Sequence, residues 1–139
     1  MSRLGIVGLA FVLSLRVAAF GQNPSYQPDP DWRPSEEAAR KANPFARRSQ
    51  AVAGGQKLFL RNCAECHNKD GSGILKKHSA DFQLAAVQQQ SDGTLFWKIT
   101  NGNPDHGMPS FSKIPELERW QLVLFLRKLK PPSESPTPP

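Results

Sequence analysis

Cysteine is almost missing from this chain: there are two in 139 residues, and both fall within positions 63–66. That excludes a disulfide-stapled scaffold, so no structural disulfide competes for these thiols. Long hydrophobic runs are also missing. The longest, Leu4–Leu15, is followed at once by Arg16 and falls short of the about 20 apolar residues that a membrane span needs. No stretch alternates apolar and polar residues convincingly, which removes a sheet and leaves an all-α class. Dense basic clusters with interleaved aromatics, the mark of a nucleic-acid interface, do not occur. The net charge of +6 comes instead from residues scattered from Arg40, Lys41, Arg47 and Arg48 to Lys98, Arg127 and Lys128. Internal repeats are absent. Methionine is nearly so, because beyond Met1 only Met108 remains.

What is present divides the chain into four parts. Residues 1–21 combine a charged start, a short apolar run and small residues at Ala18, Ala19 and Gly21. They read as a secretory signal peptide, with a retained membrane anchor as the other reading. Cleavage removes Arg3 and Arg16, lowers the charge to +4, and implies an exported, periplasmic protein without stable membrane insertion. Residues 22–50, with prolines at 24, 28, 30, 34 and 44, read as an extended arm. It holds one short helix, N-capped by Ser35 and stopped at Asn43-Pro44. Residues 131–139 carry five prolines and read as a disordered tail.

The folded unit is residues 51–130. Apolar periodicity predicts helices over about 51–62, 93–101 and 115–130, and a weaker one within 81–90. Gly54 and Gly55 interrupt the first, at a cost of about 1 kcal/mol each against Ala. Glycine belongs there if another helix crosses with no side chain between the backbones. A unit of this size makes a marginal core from its own side chains.

Residues 63–67 read Cys-Ala-Glu-Cys-His. Two thiols three apart on one helical turn, with a histidine directly after, suit covalent attachment of one haem, with His67 as the proximal iron ligand. Buried haem would also supply the apolar mass that the core lacks. Met108, in His106-Gly107-Met108-Pro109, suits the other axial position. The glycine permits close backbone approach, the proline stiffens the loop, and a thioether favours ferrous iron. His106 and His78 are the rival donors. Two other readings of the cysteines stay open. A haem-free redox or zinc pair wants βαβ surroundings or further ligands; a peroxidase-like or gas-binding haem protein wants a labile Met108 and, for catalysis, a distal acid–base pair, which is not visible.

From Ala51 to Lys130 the chain resembles a class I cytochrome c, the single-haem, His/Met-ligated bacterial family. The resemblance rests on Gly55-x-x-x-Phe59-x-x-x-Cys63, on Asp92 to Gly102 followed by Gly107-Met108-Pro109-Ser-Phe111, and on Trp120 to Arg127. It implies crossed N- and C-terminal helices, three to four helices around one haem c, and a pocket lined by Phe59, Leu95, Trp97, Ile99 and Phe111. It also implies electron transfer rather than catalysis, in a periplasmic respiratory or dehydrogenase-linked chain. The partners would be redox proteins, a dehydrogenase or an oxidase or reductase, met by transient docking. The pattern departs after the attachment motif: Gly71-Ser72-Gly73 runs into Ile74-Leu75-Lys76-Lys77 with no proline. The carbonyl that orients His67 is therefore expected within residues 73–76.

Overall fold

A computed structural model describes residues 23–129. The segment expected to be a signal peptide and the tail lie outside the described residues, as does Lys130. The described residues form α1 (Glu36–Ala39), α2 (Ala51–Asn62), α3 (Ala64–His67), α4 (Ala85–Gln88), α5 (Asp92–Asn101) and α6 (Glu116–Leu126), with short 3-10 turns at Leu75–Lys77 and Pro104–His106. Among them the only β pairing is an isolated bridge between Asn103 and Met108. The protein is all-α, as its patterning predicts, and no helix among the described residues is long and apolar enough to cross a membrane.

Local signals account for the boundaries. The Ser35 hydroxyl accepts the Ala38 N–H at 3.3 Å, and the Ser91 hydroxyl accepts that of Thr94 at 3.1 Å, each satisfying a free donor of a first turn. Gly102, at φ +66, ends α5. Pro115 stands just before α6, and Glu116 and Glu118 sit at the positive end of its dipole.

The core is the crossing of α2 and α6. A Cβ on Gly55 would collide with the Gln121 carbonyl of α6, so glycine is what lets the two backbones meet. Phe59, Leu122 and Val123 are fully buried at this crossing. The Phe59 ring lies 5.2 Å from Phe125 and 5.9 Å, edge to face, from Phe82, distances at which aromatic pairs add to simple burial. On the other flank Phe96 of α5 stacks on Trp120 at 3.9 Å. Arg127 locks the end of α6 to the α4–α5 junction. Its guanidinium donates to the Asp92 carboxylate at 2.7 and 2.8 Å and to the carbonyls of Gln88 and Gln90 at 2.7 and 2.5 Å.

Residues 23–50 run over this domain and are tied to it at separate points. The Asn23 side chain donates to the Ser79 carbonyl at 2.8 Å, and its backbone N–H to that of Ser72 at 2.9 Å. Trp32 donates to the Gly102 carbonyl at 2.9 Å and Asn43 to that of Trp120 at 3.0 Å. Ala39 accepts from the Ser91 hydroxyl at 2.6 Å.

Candidate functional site

α2 ends and α3 begins at one residue. Cys63 donates its N–H to the Phe59 carbonyl at 2.8 Å, and its own carbonyl accepts from Cys66 and His67 at 3.0 and 2.9 Å. This turn presents Cys63, Cys66 and His67 together, and Asn68, at φ 61, ends it. Both thiols are free and half-buried, and Cys63 packs against the hydrophobic core. Burial, with Cys66 adding to it, pushes the Cys63 thiol up to about 12. A redox-active Cys-x-x-Cys pair works through a thiol shifted the other way, so this environment speaks against a thioredoxin-like use.

His67 is oriented from two sides. Its Nδ1 stands 3.0 Å from the Ala80 carbonyl oxygen; a carbonyl only accepts, so Nδ1 carries the proton and Nε2 keeps its lone pair. The Phe82 ring lies 4.6 Å away, tilted by 31°. Burial lowers the His67 pKa and the bond to Ala80 opposes that shift, so the neutral imidazole needed for ligation is favoured. Ala80 corrects the expectation of an acceptor within 73–76. Three of those carbonyls are used inside the loop: Gly73 accepts from Asn68 Nδ2 at 2.6 Å, Ile74 from the Lys77 N–H at 3.0 Å and Leu75 from that of His78 at 3.0 Å. The loop then doubles back, with the Ser79 hydroxyl bonded to the Cys66 carbonyl, and Ala80 arrives at the imidazole.

Met108 occupies a second, independently fixed loop. Its N–H donates to the Asn103 carbonyl at 3.0 Å and its carbonyl accepts the Asn103 N–H at 2.8 Å. The turn between them closes through Gly107 at φ +83. Beyond it, Phe111 donates to the Ile99 carbonyl at 3.1 Å and the Ser110 hydroxyl to that of Thr100 at 2.7 Å, tying the loop to the end of α5. Of the rival donors, His106 is exposed, with Nδ1 3.0 Å from the Asn103 amide oxygen, and His78 is exposed at a left-handed position.

Of the pocket residues read from the sequence, Phe59, Leu95 and Ile99 are in the buried core and Phe111 packs against it. Trp97 is half-buried on α5, where its neighbour Phe96 joins the core. Sequence reasoning missed Phe82, Ala80 and Trp32. None belongs to a periodic stripe or a motif, and only the folded loops bring them to the site.

The donor set fits a covalently held porphyrin: two free thiols on one turn, a neutral imidazole with Nδ1 bonded to Ala80 and the Nε2 lone pair left to ligate, and a thioether on a braced loop. A small all-α domain built this way is a cytochrome c domain. The family described as cytochrome c oxidase, cbb3-type, subunit III matches residues 50–126, and the chain belongs to it. No curated protein matches the chain. Haem c, with its iron, is the cofactor; Cys63 and Cys66 have the spacing for its thioether bonds, and the protein is a haem-based electron carrier that works with redox protein partners.

Proposed function

We propose that the chain is a class I type, His67/Met108-ligated, single-haem shuttle. It is exported by cleavage after Ala19 or Gly21 and passes electrons in a periplasmic respiratory or dehydrogenase-linked chain. The observation that carries this reading is the His67–Ala80 bond, made on the same turn that offers both thiols. When bound, haem c supplies one-electron exchange between ferric and ferrous iron. The chain's own residues do the rest. Cys63 and Cys66 hold the group in both oxidation states. Ala80 and Phe82 hold the imidazole in one tautomer and orientation, which strengthens it as a donor. Met108 would supply the second donor to the iron, so a substrate would have to displace it, and the domain transfers electrons rather than transforming a substrate. Phe59, Leu95, Ile99 and Phe111 exclude water and limit reorganisation. Electrons are exchanged with a dehydrogenase, oxidase or reductase during weak, brief docking, with the modest positive charge assisting encounter at low salt.

The test is a visible spectrum of the matured protein in both oxidation states beside Met108→Ala. Loss of the ferric far-red charge-transfer band in the variant and a fall in midpoint potential are expected. An unchanged spectrum removes Met108 as the ligand.

A further inference from the structure

The loop that carries Met108 begins at Gly102, and Gly102 is held from outside the domain. Trp32, in the arm before α1, donates its indole N–H to the Gly102 carbonyl at 2.9 Å, although the two residues are 70 apart in sequence. Its ring is fixed in turn by the Lys98 ammonium of α5, whose Nζ lies 4.5 Å from the ring centroid, within the range of a cation–π contact. Lys98 is itself buried. Gly102 lies directly on the backbone it would have to hold. A Cβ there would stand 2.6 Å from the Met108 carbonyl oxygen and 2.5 Å from that of Pro109, and the next residue, Asn103, pairs with Met108 in both directions. Trp32, Gly102 and Met108 therefore form one mechanical chain, anchored on α5 at its far end.

We propose that Trp32 is a positioning residue for the Met108 loop: its bond to Gly102 keeps the loop closed and sets how readily the thioether yields its place to an outside ligand. The proposal rests on Met108 being the axial donor. The bond braces one end of a loop whose other end is already tied to α5, so its removal loosens the loop without unfolding the core. Trp32→Phe deletes the donor and keeps an aromatic ring over Lys98.

The test measures capture of cyanide by the ferric, haem-loaded protein together with amide exchange, in wild type, Trp32→Phe and Met108→Ala. Loss of one ordinary hydrogen bond predicts a rise of roughly two- to tenfold in cyanide capture and in exchange at the Asn103 and Met108 amides. The amides of Val123 and Leu124 in α6 should not change. Unchanged cyanide capture in Trp32→Phe overturns the proposal, as does equal acceleration at every amide, which makes Trp32 a general stabiliser. The Met108→Ala control separates the two levels. If that variant keeps the far-red band, the ligand reading fails and takes the proposal with it; if it loses the band while Trp32→Phe behaves as wild type, the proposal alone fails.

Discussion

At the scale of single residues, the adjacent glycines of α2 show how different two positions of the same type can be. A Cβ on Gly54 would meet only the side-chain amide of Gln121, the far end of a flexible group, whereas on Gly55 it would meet the Gln121 backbone carbonyl and the Phe125 Cβ. Gly54→Ala forces one side chain to swing aside and recovers about 1 kcal/mol of helix propensity. It should leave stability unchanged or slightly raised. Gly55→Ala forces α6 away from α2 and should cost about 1–3 kcal/mol, as overpacked cores do. Denaturant unfolding of both haem-loaded variants checks the pair. Equal midpoints would mean that Gly55 does not set the crossing distance. The contrast also shows what sequence reasoning can see. Two glycines inside a good helical pattern signal a close crossing, but which of them touches backbone depends on the rotation of α6.

At the scale of elements, the long helices were legible from their apolar periodicity, with boundary chemistry added at α5 and α6. The reading of 51–62 matches α2, and the reading of 93–101 differs from α5 by one residue, Asp92, with Ser91 as the cap. The weak 81–90 pattern shrinks to one turn, Ala85–Gln88, because Phe82 is drawn toward His67 and Asp81 is used in a turn, its carboxylate accepting the Gln83 N–H at 2.8 Å. The arm's docking was not legible. It depends on single side chains reaching backbone carbonyls 56 to 77 residues away, and no periodicity records that. The acceptor for His67 was missed for a similar reason, since its identity follows from which loop carbonyls are already taken. Arg127 is the clearest joint between elements. Its fork serves one carboxylate and two carbonyls at once, geometry that a single ammonium does not reproduce. Arg127→Lys should therefore lose about 1–3 kcal/mol, with hydrogen exchange rising first in residues 85–92. A loss confined to the end of α6 would show that the joint does not hold α4 and α5.

At the scale of the whole molecule, two kinds of order coexist. The α2–α6 crossing is closed by protein side chains alone, with Phe59, Leu122 and Val123 fully buried. The segments that bear the iron chemistry, residues 68–82 and 102–111, are ordered largely by hydrogen bonds within themselves and by ties to the arm and α5. A small domain with a limited core needs further apolar mass, and a group bound only by the native state adds its binding energy to stability. The two regions should respond differently when that group is withheld. In Cys63→Ala/Cys66→Ala, purified without attached haem, the amides of α2 and α6 should keep measurable protection while residues 68–82 and 102–111 exchange nearly as fast as an open chain, in keeping with local opening of the least buried parts. Circular dichroism should show reduced helicity and a broad transition well below that of the haem-loaded protein. Native-like protection across all these segments, with a melting temperature equal to the loaded form, would mean that the polypeptide completes its fold unaided and that the cofactor's part is confined to electron transfer.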